Sequence, residues 1–176
     1  YSKIIDKVSD CKIILYNFEK LCGYAFSIDI VERLVKDFPN QIVGVKDSTY
    51  NLYEKLKINN FLIFLGSETK LLKGLELGCN GIISAVCNVT APIARKVYDD
   101  FINKKPQTVN EKLCAIRKAF DDTGNLISAL HSFMAIRDEK YRRLIPPLAL
   151  LSKDKQKELL NKLKELDFIP TKNIAA

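Results

Sequence analysis

The chain has 176 residues, carries 28 Lys and Arg against 21 Asp and Glu for a formal charge of +7, and is 47% apolar. With 7 Tyr and 9 Phe, that composition excludes an intrinsically disordered chain, and the length suffices for one well-buried core. Its single His excludes a His-rich metal site and leaves Ser-His-Asp chemistry only His131 to run through.

In chain order, YSKIIDKVSD reads as the tail of a preceding helix, so an N-terminal half is expected upstream. Short β-rich runs then recur with helical stretches between them: KIILYN (12–17), QIVGVKDS (41–48), FLIFLGS (61–67) and NGIISAV (80–86). These runs are continuous rather than alternating, which predicts burial on both faces and hence a parallel sheet. SIDIVERLVKDF (27–38) predicts an amphipathic crossover helix capped by Ser27, with Ile30, Leu34 and Phe38 on the inner face. SETKLLKGLELG (67–78) predicts a second, from Ser67 to a stop at Gly78. The expected order is β-α-β-α-β-α-β.

Beyond the fourth run every segment reads as helix: 90–105, completing the fourth β/α unit, then 109–122, 124–141 and 152–168. The last three form a C-terminal appendage, interrupted at Pro146-Pro147, where a helix cannot continue. Four β/α units fit either a small doubly wound sheet or half of an eight-unit barrel.

Five cysteines, Cys11, Cys22, Cys79, Cys87 and Cys114, form no CxxC pair and lie mostly within apolar runs. This reads as reduced, buried thiols in a cytoplasmic protein. No run has the character of a signal peptide or a membrane span. Basic residues are interspersed with acids, which predicts a solvated surface rather than a nucleic-acid partner. Gly74 and Gly78 flank a helix without a phosphate-cradling motif. His131, on an apolar helix with Phe133, Met134 and Ile136 nearby, reads as a core or subunit-interface residue.

Parallel β/α folds gather ligands at the carboxyl ends of their strands, and two of these strands end in polar residues, Tyr16 and Lys46. Lys46 follows IVGV, where a desolvated ammonium is disfavoured and the neutral amine can attack a keto group to form a Schiff base. Tyr16, one unit earlier, is placed to relay protons to and from the carbinolamine. Blander roles stay open: a strand-end Lys is commonly a surface cation or salt-bridge partner, with Asp47 adjacent, and a strand-end Tyr commonly packs.

ILYN, then GVKDS thirty residues later, then FLGSE and GCNGIISAVCNV, in that order and spacing, resemble the second half of the dihydrodipicolinate synthase and N-acetylneuraminate lyase superfamily. The resemblance runs from residue 1 to about 168 and includes the Pro-Pro-Leu segment. It implies a class α/β fold, the second half of a TIM (β/α)8 barrel, with units five to eight over 1–105 and a C-terminal three-helix region over 106–176. By motif, Lys46 matches the Schiff-base lysine and Tyr16 the proton-relay tyrosine. Ile83 matches the residue whose carbonyl lies against the keto acid, and Gly66 and Ser67 the pair facing the second substrate. Ile83 as barrel filling, Gly66 as a turn former and Ser67 as a helix cap remain open readings.

Two departures from the family pattern stand out. Glu19 occupies the place of a common Pro, and Leu21 the place where the synthase carries an Arg that binds the aldehyde carboxylate. Nothing in the 176 residues matches the Gly-Thr-Thr motif that the family places in its first half. The resemblance implies a lyase acting on pyruvate or 2-keto acids and an aldehyde, with a covalent imine on Lys46 and no other cofactor or metal. Leu21 favours 2-keto-3-deoxy sugar acids, with dihydrodipicolinate synthesis the alternative. The contrasting possibility is a catalytically silent β/α binding module. A homo-oligomer, tetramer or dimer, is expected.

Overall fold

The computed structural model describes residues 1–169, which divide into two compact units: residues 1–66 with 70–83, and 67–69 with 84 onward. In the first unit, β1 (Ile13–Asn17), β2 (Ile42–Asp47), β3 (Leu62–Leu65) and β4 (Gly81–Ile82) form one parallel sheet in the order β1-β2-β3-β4. Every strand pairs with its neighbour in the chain. A doubly wound sheet would reverse direction at a switch point, so this order is that of a barrel segment.

The helices of this unit are α1 (Ser2–Ile5), α2 (Glu19–Cys22), α3 (Ile28–Asp37) and α4 (Leu71–Glu76). Ser27 caps α3 as the sequence predicts, its hydroxyl accepting from the Ile30 N–H at 3.3 Å. The buried face of α3 is centred one residue away from the expected one: Val31 is sealed and Leu34, Val35 and Phe38 are partly covered, whereas Ile30 is exposed. Gly78 follows α4 in the left-handed region, at φ 87°, the helix stop that the sequence predicts.

Three expectations need correction. No helix joins β2 to β3: residues 48–61 form bends and turns, and left-handed backbone at Tyr50 and Asn60 interrupts any helical path. The fourth strand is only Gly81–Ile82, extended by one further bond from the Ile83 N–H to the Leu65 carbonyl at 2.9 Å. Burial is one-sided. Leu15, Val45, Ile63 and Leu65 join Val31 and Phe26 in the core, each contributing about 1.5–3 kcal/mol. The opposite face leaves Ile14 41%, Tyr16 39% and Leu62 38% exposed.

Gly44 sits on that open face, paired with Ile14 and Leu62. A Cβ there would stand 2.6 Å from the Leu62 carbonyl oxygen, so the strand spacing at this point requires glycine.

The second unit contains α5 (Cys87–Ile102), α6 (Asn110–Asp121), α7 (Leu126–Met134) and α8 (Lys153–Glu165). Asn125 caps α7 and Ser152 caps α8 through their side-chain oxygens. Val89, Ile116, Phe120, Phe133, Leu159 and Leu163 form its core, with the Phe120 and Phe133 rings edge-on at 5.5 Å. Within this unit α5 packs on α6. Residues 170–176 of the expected C-terminal region lie outside the described residues.

Candidate active site

Tyr16 and Lys46 are direct cross-strand partners in the β1-β2 ladder, one residue from the carboxyl end of each strand. Both project onto the open face, since alternate residues of a strand point to opposite faces. The Lys46 Nζ stands 4.2 Å from the centroid of the Tyr16 ring, within cation–π range. Lys46 is half-buried and Tyr16 more open, so the ammonium is partly shielded yet reachable. The two polar strand ends singled out in the sequence are thus brought together.

Of the other candidates, Gly66, Ile83 and Leu21 belong to the same unit as this pair. Gly66 follows β3 and lies against Ser48, whose side chain occupies the space a Cβ would need. Ile83, 42% exposed, follows β4. Leu21 lies on α2, which closes at Gly23 in the left-handed region, and is 75% exposed. Glu19 begins α2, and its backbone N–H donates to Thr49 Oγ1 at 3.0 Å, a bond that Pro in its place could not make. Ser67 belongs to the second unit. Its hydroxyl is buried and lies 3.0 Å from Thr69 Oγ1, so it is engaged within its own turn.

Behind the pair, on the buried face, stands a polar hub that the sequence analysis does not anticipate. Asn17 and Asp47 follow Tyr16 and Lys46 and are themselves cross-strand partners. Neither has any exposed surface. Asn17 Nδ2 donates to Asp47 Oδ1 at 2.8 Å and to Asn51 Oδ1 at 2.6 Å, while Asn17 Oδ1 accepts from the Phe26 N–H at 2.9 Å. The Asp47 carboxylate also accepts from the backbone N–H groups of Tyr50, Leu52 and Tyr53 at 2.8–3.0 Å. Asp47 is therefore no salt-bridge partner of Lys46; it faces away and organises the following turn. The signal was present in the sequence as a polar residue directly after each candidate, at the core-facing position of the strand.

A second buried cluster lies within the other unit. Glu68, without exposed surface, accepts from Arg117 Nη1 at 2.8 Å and from Ser84 Oγ at 2.6 Å. Thr90 Oγ1 stands 3.3 Å from its other oxygen. Burial, and then the Glu68 carboxylate, push the Cys87 thiol up to about 12, which leaves it protonated and inert. His131 is half-buried with Nδ1 2.7 Å from the Tyr141 carbonyl, a satisfied residue of the kind the sequence predicts. It borders a cavity of about 310 Å³ that contains none of the candidate residues.

Among the described residues no group of three or more His, Cys, Asp or Glu could hold a metal ion, and no helix is long and apolar enough to cross a membrane.

The family model described as the dihydrodipicolinate synthetase family matches residues 1–166. The chain belongs to this family. A 4-hydroxy-tetrahydrodipicolinate synthase of a Hydrogenobaculum species is 32% identical over 172 residues, covering 92% of the chain and 58% of that relative. Among solved structures, N-acetylneuraminate lyase from Fusobacterium nucleatum superposes with a TM-score of 0.81 at 19% identity, covering 97% of the chain and 59% of its own. The prophage protein YagE from E. coli K12, in complex with pyruvate, gives 0.79 at 20% identity over 95% and 59% of the two chains. These likenesses establish the fold: a four-stranded parallel sheet with its helices that matches part of a TIM barrel of the dihydrodipicolinate synthetase type. The chain spans 58–59% of the length of these relatives.

Proposed function

We propose that the protein is a Schiff-base lyase whose Lys46 condenses with the keto carbon of pyruvate or a related 2-keto acid. The observation that carries this reading is the cross-strand placement of Tyr16 and Lys46, with Nζ 4.2 Å from the ring centroid, at the end of the sheet where barrel enzymes build their sites.

The amine of Lys46 attacks the carbonyl carbon to give a carbinolamine, and loss of its hydroxyl as water leaves an iminium. The Tyr16 phenol supplies and recovers the protons of these two steps. The iminium nitrogen then accepts the electron pair of a C–H or C–C bond at the adjacent carbon. In one direction the resulting enamine attacks an aldehyde carbon and forms a C–C bond. In the other, the same bond breaks and releases the aldehyde. Hydrolysis of the iminium returns the keto acid and the free amine.

For the aldehyde partner, Leu21 supports an uncharged sugar aldehyde, whose adduct with pyruvate is a 2-keto-3-deoxy sugar acid. Leu21 stands on α2, after β1, with no charge to offer, and an ionised carboxylate without donors is costly to desolvate. Dihydrodipicolinate synthesis is the second reading, favoured by the name of the 32% identical relative. It would need Lys20, the basic neighbour of Leu21 on α2, to bind the semialdehyde carboxylate.

Borohydride added with pyruvate to the full-length protein is expected to fix a covalent adduct on Lys46, located by peptide mass mapping. An adduct on another lysine, or none, overturns the assignment. Comparison of kcat/KM for a 2-keto-3-deoxy sugar acid and for aspartate semialdehyde with pyruvate separates the two substrate readings. A preference for the semialdehyde that disappears in Lys20→Ala would establish the second.

A further inference from the structure

We propose that Asn17 and Asp47 are positioning residues for the Tyr16–Lys46 pair, holding the carboxyl ends of β1 and β2 at a fixed spacing through a buried amide–carboxylate bridge. The inference rests on the Schiff-base reading above and concerns residues that touch no substrate, since both are sealed on the opposite face of the sheet.

Asn17 and Asp47 are the last paired residues of β1 and β2, and past them the backbone link between the two segments runs through the Asn17 carbonyl, which accepts from the Ser48 and Thr49 N–H groups at 2.8 and 3.2 Å. To this end of the ladder the side chains add a second tie. Asn17 Nδ2 reaches Asp47 Oδ1 at 2.8 Å, a link across the two strands in the layer directly behind Tyr16 and Lys46.

Both ends of the link are anchored. The Asp47 carboxylate is gripped by three N–H groups of the turn at residues 50–53. Asn17 is held by the Phe26 N–H and by Asn51, whose own amide donates to the Phe26 carbonyl at 2.9 Å. The Asn17 carbonyl in addition accepts from the Ser48 N–H at 2.8 Å. The chain segments that leave the two strands are thereby tied to one hub.

Lys46 has a flexible four-carbon stem, so the start of its reach is set by its Cα, and that Cα is adjacent to Asp47. The same holds for Tyr16 and Asn17. A change of about 1 Å in such a spacing costs roughly 10²-fold in rate. A purely apolar pair at positions 17 and 47 could fill the layer without the desolvation cost of an amide and a carboxylate, but it would not prescribe the spacing.

The experiment is a double-mutant cycle in the full-length protein on the rate of borohydride-trapped adduct formation with pyruvate. Asn17→Ala is expected to slow trapping about 10²-fold while circular dichroism shows the protein folded. The maximal rate should fall with little change in the pyruvate concentration needed for half saturation. In a Tyr16→Phe background the same substitution should slow trapping by less than about tenfold, because positioning the missing hydroxyl no longer matters.

Equal slowing in both backgrounds, or no slowing in the wild-type background, overturns the positioning role while leaving the Schiff-base reading intact. Absence of an adduct on Lys46 in the unmodified protein overturns both. Should Asn17→Ala fail to fold, Asn51→Ala removes one acceptor of Asn17 at a more exposed residue and leaves the Asp47 link in place. It is expected to show a smaller slowing with the same non-additivity, and its absence again overturns the proposal.

Discussion

Replacing Arg117 by Met tests the energetics of the second unit most directly. Glu68 is without exposed surface and Arg117 only 12% exposed in its side chain, with the guanidinium 2.8 Å from the carboxylate. Removing the cation leaves a sealed carboxylate facing two hydroxyls, those of Ser84 and Thr90, and breaking a buried pair from one side costs about 3–5 kcal/mol. Against the total of about 5–15 kcal/mol typical of a folded protein, that is a large fraction. At about 2–4 °C per kcal/mol for a chain of this size, Tm should fall by roughly 6–20 °C. Glu68→Gln should be milder, at about 1–3 kcal/mol, because Arg117 keeps its bond to Asp121 at 2.9 Å. The double variant Glu68→Leu/Arg117→Met should regain much of the loss, since an apolar pair avoids desolvating either charge. Urea unfolding followed by circular dichroism and tyrosine fluorescence gives all three values. The reasoning is refuted if Arg117→Met lies within about 1 kcal/mol of the unmodified protein, or if the double variant is no more stable than that single one.

Tyr16→Phe in the full-length protein should lower turnover by about 10²- to 10⁴-fold with the fold intact; turnover near normal would return Tyr16 to the packing residues. Gly44→Ala should destabilise by about 1–3 kcal/mol through overpacking against the Leu62 backbone, read as a lowered urea midpoint, and an unchanged midpoint would show that the strands separate freely there. Cys87, with its thiol pushed up to about 12 from 9.0, stays protonated in the folded chain where it ionises in the unfolded one. Its contribution is complete below about pH 9 and is lost as pH rises from there towards 12. Tm measured between pH 8 and 11 should therefore fall less steeply for Cys87→Ala than for the unmodified protein, and parallel slopes would refute the assignment. Cys22, exposed on α2, should react with a maleimide at pH 8 far faster than Cys87, as followed by mass spectrometry.

The order of strands and the pairing of Tyr16 with Lys46 were legible because apolar runs bounded by turn residues mark parallel strands, and polar residues at their ends break the pattern visibly. The open face was not legible. IVGV and LIFL look alike whether one side or both are covered, so their continuous apolar pattern predicts burial on two sides in either case. On α3, Ile30 and Val31 are both β-branched and apolar, and nothing in a single sequence says which neighbour lies beneath the helix. The alternation of its surroundings predicts a helix in the link from β2 to β3. Its path is decided by the left-handed Tyr50 and by N–H groups captured by Asp47, a tertiary effect. In the sequence Asn17 stands out only as part of the ILYN motif and Asp47 only as a neighbour of Lys46. Their partnership depends on register, which no spacing along the chain displays.

That partnership also bears on how the sheet reaches one arrangement. Because side chains alternate with a period of two, a one-residue slip of β2 against β1 would exchange the faces, carrying the Lys46 ammonium into the apolar layer and lifting Asp47 away from the N–H groups that hold it. Apolar runs such as IILY and IVGV tolerate such slips with little penalty of their own. The Asn17–Asp47 bridge penalises each misaligned pairing twice, through a buried cation and through orphaned donors. Parallel strands brought together across thirty residues of chain thus carry their own check on alignment, at the point where a shift would also dismantle the pair of residues on the open face.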